Sequence, residues 1–369
     1  MMENSSWIGQ SKRELDTPAL LIHTEALEQN LATMQRLAEQ AGVSYLPHTK
    51  THKSPLISHR QIAAGAAGIC CAKLSEAEVM AAGGVGDILL TTEIAGARKI
   101  ARLMVLAQQC RLTIVVDDAA NAAMLADAAH AQGIRLGVLV DVDVGQGRCG
   151  VRPGPAAVAL AKQVERSGSL EFRGLQGYHG GLQMIVEFQQ RQAGSRTALR
   201  LLAETAEQVR KEGIACDILS GGGTGTALID SEIGVLTELQ PGSYVFMDSR
   251  YGAIQWTAEG GPPPFVPALT VLGTVISRPS ADRAIVDIGM KAASCDQGPI
   301  APLDMFGARF EFAGDEHGIL RFERPGCPLA VGDLVEFSPS HCDTTVNLYD
   351  RFFVLRGDVV EAVWPVAAR

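Results

Sequence analysis

Short apolar runs alternate with amphipathic stretches eight times along the first part of the chain, and this rhythm limits its fold more than any other feature. The runs at 19–23, 43–46, 66–72, 87–91, 112–116, 136–142, 172–178 and 216–219 each read as a buried strand. Helical signals lie between them. Leu27, Leu31, Met34 and Leu37 fall on one stripe of a helix capped by Thr24, Ser75-Glu76-Ala77-Glu78 reads as a capping box, and a long helix closes at Gly213. Eight strand–helix units at intervals of roughly 20 to 45 residues predict an α/β fold, a (β/α)8 TIM-type barrel over 17–248. A doubly wound open sheet is the rival. It needs fewer strands and a phosphate-binding glycine turn after the first of them, and the sequence has no such turn there.

Past Asp248 the texture changes. Gly260-Gly261-Pro262-Pro263-Pro264 is a rigid break, and the runs at 270–277, 284–288, 334–338, 351–355 and 359–364 are short and β-rich. They predict a β-domain over 249–369, joined by residues 1–16, and a chain of 369 residues is long enough for two domains. A net charge of −9 argues against a nucleic-acid partner, because phosphate binding needs a basic face. No apolar run reaches the ~18 residues that a membrane span requires. Met1-Met2-Glu3-Asn4-Ser5-Ser6-Trp7 lacks the basic and apolar regions of a secretory leader, so a cytoplasmic protein is expected. The eight cysteines are scattered, without any CxxC, and read as reduced small residues.

The chemistry gathers at strand ends, where such barrels keep their active sites. Pro47-His48-Thr49-Lys50-Thr51-His52-Lys53 follows the second run. A lysine there, desolvated and close to other cations, has its ammonium disfavoured and becomes an amine nucleophile for a carbonyl. After the sixth run, Gly145-Gln146-Gly147-Arg148 offers one guanidinium to an anion or an aromatic cofactor. After the seventh, Tyr178 and His179 offer rings that can stack on a planar ligand. After the eighth, Ser220-Gly221-Gly222-Gly223-Thr224-Gly225-Thr226 can turn backbone N–H groups toward a phosphate, with Pro241-Gly242-Ser243-Tyr244 completing the cup.

In the β-domain, the alternation of an extended chain puts His341 and Asp343 on one face and Cys342 on the other. An imidazole beside a carboxylate can hold a divalent cation and leave positions open for water and substrate. The same alternation argues against Cys342 as a third ligand or a nucleophile. Asp287, Lys291, Ser294, Glu316 and His317 stand open between lining the pocket and structural work.

The 47–53 segment resembles the PHxKxxK segment of fold-type III pyridoxal-phosphate enzymes of the D-serine dehydratase and D-threonine aldolase group. The 341–350 segment is similar to HCDPTVNLYD of the metal-activated D-3-hydroxyamino acid aldolases, with Thr344 in place of the proline; a second departure is Gly223, where dehydratase relatives tend to carry serine. The resemblance spans nearly the whole chain. It implies an alanine racemase-like fold, with Lys50 carrying pyridoxal 5'-phosphate, Arg148 on a ring oxygen and Tyr178 or His179 near the ring. Gly222, Gly223, Thr224, Gly242, Ser243 and Tyr244 would hold the phosphate. His341 and Asp343 would bind a divalent metal, Mn2+ first, with Mg2+, Co2+ or Zn2+ as alternatives, and His341 would double as a base. The implied activity is an aldolase acting on D-3-hydroxy amino acids as a homodimer. A dehydratase of D-serine or D-3-hydroxyaspartate and an amino acid racemase are the alternatives, as is a pyridoxal-phosphate carrier without turnover, although carriers of that kind are single barrels.

Overall fold

A computed structural model of the chain describes residues 4–323 and 328–368, so 1–3, 324–327 and 369 of the expected β-domain lie outside the described residues. In chain order the first elements are β1 (Ala19–His23), α1 (Thr24–Ala41), β2 (Ser44–Tyr45), α2 (Pro55–Ala63), β3 (Ile69–Cys71), α3 (Leu74–Ala82), β4 (Asp87–Leu90), α4 (Ala97–Leu106) and β5 (Arg111–Val116). They continue as α5 (Ala119–Ala131), β6 (Leu136–Asp141), α6 (Pro155–Arg166), β7 (Leu170–Gly177), α7 (Phe188–Lys211), β8 (Ile218–Gly221), α8 (Ala227–Ile233) and β9 (Glu238–Leu239).

Eight parallel strands run in the order β2-β9-β8-β7-β6-β5-β4-β3. A parallel bridge between His48 and Cys70 joins the two ends of that order, with Cys70 N–H donating to Pro47 O at 2.8 Å, so the sheet closes into the expected barrel. The strands are short and alternate in facing. Ile69, Cys71, Ile88, Leu90, Ile114, Val116, Val138 and Val140 pack outward against the helices. Leu46, Cys70, Leu89, Val115 and Leu139 form a separate apolar plug inside. Toward the strand ends the interior turns polar, yet its members satisfy one another. Gln176 donates to Asp141 at 2.9 Å, Gln240 to Gln176 at 3.0 Å and to Ser220 at 2.9 Å, and Ser220 to Glu238 at 2.5 Å.

The membership of the barrel differs from the expected one. Run 19–23 is a strand, but β1 lies in the second sheet, antiparallel to β10 (Leu269–Ser280) and parallel to β16 (Arg351–Arg356). The eighth barrel strand is instead β9, two residues beginning with Glu238. Apolar periodicity reports that a strand is buried and says nothing of which sheet it joins. The start of the chain is thus woven into the β-domain, and α1 carries it across to the barrel. His23, not Thr24, is the residue before α1, and the Thr24 hydroxyl donates to Glu361 instead of capping the helix.

The second sheet runs β13 (Ala308–Phe312), β14 (Gly318–Phe322), β11 (Arg283–Val286), β10, β1, β16 and β17 (Val359–Pro365), with β15 (Leu334–Ser338) on β10 and β12 (Ala301–Pro302) on β15. Strands β12, β13 and β14 escaped the sequence pattern. Two short helices complete the element order, α9 (Ser249–Gly252) and α10 (Cys342–Val346). No described helix is long and apolar enough to cross a membrane.

Candidate active site

Lys50 sits in a single tight turn, Thr49–Thr51, directly after β2 and the His48–Cys70 bridge, at the strand-end face of the barrel. The turn is pinned from several sides. His48 N–H donates to Pro241 O at 2.9 Å, and the Thr49 hydroxyl donates to Cys70 O at 2.9 Å and to Glu76 at 2.8 Å. Lys53 takes a left-handed conformation with φ 52°, and its carbonyl accepts the N–H groups of Ala367 and Ala368 at 2.9 and 3.1 Å. Its ammonium closes the clasp on Ala368 O at 3.2 Å.

Lys50 Nζ lies 3.4 Å from Asp343 Oδ2, so the amine of the barrel meets a carboxylate of the β-domain. That contact raises the Lys50 pKa, outweighing burial and the repulsion of Arg148. The expectation of a disfavoured ammonium is therefore corrected: a carboxylate the sequence had placed in the other domain stands closer than the cations. Burial alone would raise the Asp343 carboxyl, but Lys50 and His341 together bring it below its usual value. Asp343 Oδ1 and the Thr51 hydroxyl are both buried without a well-formed hydrogen bond, the hydroxyl facing the carboxylate closely enough to help lower its pKa.

His341 and Asp343 come together, but by a different route from strand alternation. His341 is extended, with φ −149°, and the chain then turns into α10, whose first turn carries Asp343. Cys342 is fully buried beneath, its thiol donating to Met247 O at 3.1 Å, its N–H held by Asp248 at 3.3 Å, and its pKa pushed up by burial. Neither a third ligand nor a nucleophile is available there. His341 Nδ1 lies 2.7 Å from Asp296 Oδ2. A carboxylate only accepts, so Nδ1 carries the hydrogen and Nε2 is left with the lone pair of the neutral ring. An orphaned carboxylate oxygen beside a free imidazole nitrogen is a donor pair that suits a divalent cation.

Arg148 lies over the Tyr178 ring, with its guanidinium carbon 5.8 Å from the ring centroid. Both influence Lys50 electrostatically, so the ends of β6 and β7 converge on the amine as expected. His179 packs against the Gly145 turn, 3.4 Å from where a side chain on that glycine would begin, and its buried Nδ1 has no partner. His48 is neutral, its pKa lowered to about 3 by burial and by Lys50.

The glycine run after β8 and the 241–244 segment lie side by side, Tyr244 N–H donating to the Thr224 hydroxyl. Gly222 has φ 68°, and a Cβ on Gly223 or Gly242 would come within 2.7 Å of Gln183 or 2.8 Å of the Thr51 hydroxyl. Gly225 N–H donates to Gln183 and Tyr244 N–H to Thr224, both at 3.0 Å. The N–H groups of Gly222, Thr224, Gly242 and Ser243 find no acceptor among the described residues. Such a set of free donors fits a phosphate. Tyr244 backs the cup; its side chain is fully buried, and its hydroxyl accepts from Gln61 at 3.2 Å.

Of the residues left open, Asp287 is structural, accepting from Thr17 at 2.5 Å and from Thr274 N–H at 2.7 Å. Lys291 pairs with Glu316 at 2.7 Å on the surface, and His317 meets its neighbours through its carbonyl, which accepts the Ala313 N–H at 2.9 Å. Ser294 donates to Asp296 at 2.6 Å. Sequence reasoning missed Asp296, for which the only signal was its place two residues after Ser294. It also missed Glu93, Asp117 and Cys149, whose ligand atoms lie within 4.8 Å of one another. All seven described cysteines are free thiols.

Residues 22–250 match the family described as alanine racemase, N-terminal domain, and residues 268–355 match the putative serine dehydratase domain. The chain is 42% identical over 361 residues to a D-threonine aldolase of an Arthrobacter species, covering 98% of this chain and 94% of that protein. It is 38% identical to the 3-hydroxy-D-aspartate aldolase of Paracoccus denitrificans strain Pd 1222, with the same coverages. Among solved structures, the D-threonine aldolase of Filomicrobium marinum superposes with a TM-score of 0.93 at 40% identity, covering 98% of this chain and 97% of that one.

Proposed function

The chain belongs to the D-threonine aldolase family of fold-type III pyridoxal-phosphate enzymes, and on that premise we propose that it is a metal-activated aldehyde-lyase. It splits D-threonine and related D-3-hydroxy amino acids between Cα and Cβ, giving glycine and an aldehyde. The observation that carries this reading is the approach of Lys50 Nζ to Asp343, beside His341, across the two domains.

Pyridoxal phosphate, when bound, withdraws electrons from Cα so that a bond there can break heterolytically, and a divalent cation, Mn2+ foremost, lowers the pKa of a β-hydroxyl. Lys50 would hold the cofactor through Nζ. The free N–H groups of Gly222, Thr224, Gly242 and Ser243, with Gly223 and Tyr244 shaping the cup, would hold its phosphate. Arg148 would take a ring oxygen, and Tyr178 and His179 would flank the ring. Asp343 Oδ1 and His341 Nε2 would hold the cation. Where His341 serves as the base instead, it takes the β-hydroxyl proton at the same Nε2. Once released from the cofactor, Lys50 Nζ, whose ammonium Asp343 favours, would be the proton donor on the barrel side of the site.

A dehydratase is the second reading, favoured by the match of residues 268–355 to a serine dehydratase domain. Purified protein incubated with D-threonine, D-serine and 3-hydroxy-D-aspartate separates the two. Glycine with an aldehyde is the expected product set, and ammonia with a keto acid in its place overturns the aldolase. A cytoplasmic homodimer belongs to the same proposal, with light scattering expected to give twice the mass of the chain.

A further inference from the structure

The cation-holding imidazole does not stand alone. The 294–298 loop of the β-domain lies against the segment that carries it, and five polar contacts tie the two together. The Ser340 hydroxyl donates to Gly298 O at 2.8 Å and to Ser294 O at 3.3 Å. The Thr345 hydroxyl accepts the Ser294 N–H at 3.2 Å. The Thr344 hydroxyl donates to Asp296 Oδ1 at 2.9 Å, and His341 Nδ1 meets Asp296 Oδ2 at 2.7 Å. Ser294 adds a second donor to Asp296 Oδ1 at 2.6 Å, the third to the carboxylate. The loop is thus held at both of its ends, and the Asp296 carboxylate has each oxygen engaged.

We propose that Asp296 is a positioning residue for the metal site: it fixes the ring orientation and the Nδ1–H tautomer of His341, so that Nε2 is presented to the cation, while Ser294 and Thr344 hold the Asp296 carboxylate in place. The physical reason is geometric. An imidazole on an unsupported side chain rotates about two bonds and samples both tautomers, and each wrong arrangement must be given up on binding. A carboxylate at Nδ1 removes that freedom in advance and increases the basicity of Nε2. His341 and Asp296 are 23% and 38% exposed in their side chains, which leaves the imidazole open to a ligand while the loop carries the support.

This inference deepens the metal reading above and rests on it. The test uses the holoenzyme with pyridoxal phosphate bound, stripped of divalent ions by a chelator and dialysed, and titrated with Mn2+ in a calorimeter. Asp296→Ala is expected to weaken Mn2+ binding roughly 10- to 100-fold. Asp296→Asn, which keeps an acceptor for Nδ1–H but loses the charge, is expected to fall between wild type and alanine, and Thr344→Val to lose a few-fold. The visible absorbance of the bound cofactor and the melting temperature are expected to stay at wild-type values, which a merely structural loss of the loop would not allow. Wild-type Mn2+ affinity in both Asp296 variants overturns the positioning role and leaves the metal reading standing. A wild-type protein that takes up no Mn2+ and turns over after chelation overturns the metal reading itself and this role with it.

Discussion

Lys50 Nζ, at the end of a barrel strand, stands 3.4 Å from Asp343 Oδ2, on a helix of the other domain. Neither domain alone holds both groups. Replacing Lys50 by alanine is expected to remove the visible absorbance of lysine-bound cofactor and to cut turnover by on the order of 10^3-fold or more, since the covalent link to the cofactor is lost. Absorbance and turnover spectroscopy of the purified variant check both, and an unchanged spectrum would place the cofactor elsewhere.

Asp343 carries an orphaned carboxylate oxygen. Asp343→Asn removes the negative charge that favours a cation while keeping the shape. Turnover is expected to drop about 10^2-fold or more, with the cofactor still bound. Chelation of the wild-type enzyme is expected to do the same and Mn2+ to restore it. Full activity after exhaustive chelation would remove the metal from the reaction.

Two histidines flanking the Lys50 turn, His52 buried and His48 half-buried, make the fold acid-sensitive. His52 Nδ1 accepts the Ser54 N–H at 3.1 Å, and Nε2 donates to Gln61 Oε1 at 3.2 Å, an arrangement that only the neutral ring satisfies. Burial, with smaller opposing contributions, lowers its pKa to about 4, and that of His48 to about 3. Each folded pKa lies below the unfolded one, so the unfolded chain binds the extra proton first. Stability is complete above the unfolded value of about 6.5 and is lost as pH falls toward 4 and 3, with His52 contributing on the order of 3 kcal/mol by pH 4. Denaturant titrations of wild type and His52→Gln at pH 7 and pH 4.5 check this. The pH-dependent loss should shrink in the variant, and an equal loss in both assigns it to other groups.

The clasp on Lys53 links the last described residues to the Lys50 turn. Val366 and Ala368 are buried, and the segment contributes three hydrogen bonds to Lys53. Truncation after Pro365 is expected to cost about 3–5 kcal/mol of stability. It should also loosen cofactor binding several-fold, because the turn that presents Lys50 loses its brace. Thermal unfolding and cofactor titration measure the two effects separately, and intact cofactor affinity in a destabilised variant would confine the clasp to folding.

Seven of the eight barrel strands, the lysine at a strand end and the glycine run were legible in the sequence, because each rests on local spacing and residue chemistry, whereas His341 and Asp343 were paired by a strand spacing that the fold does not use. What spacing could not supply is which sheet takes which strand. The apolar run at Ala19–His23 looked like a barrel strand and joined β10 and β16, whereas the two-residue Glu238–Leu239, with a buried carboxylate, closed the barrel. Partner choice among strands is set by long-range packing, to which a local pattern is blind. The same holds for charge. Local neighbours made Lys50 a depressed amine, and only the tertiary fold brought Asp343, nearly three hundred residues on, close enough to reverse the sign. Asp296 came into view for the same reason, since a carboxylate forty-five residues before His341 becomes its partner only when the 294–298 loop folds back onto α10.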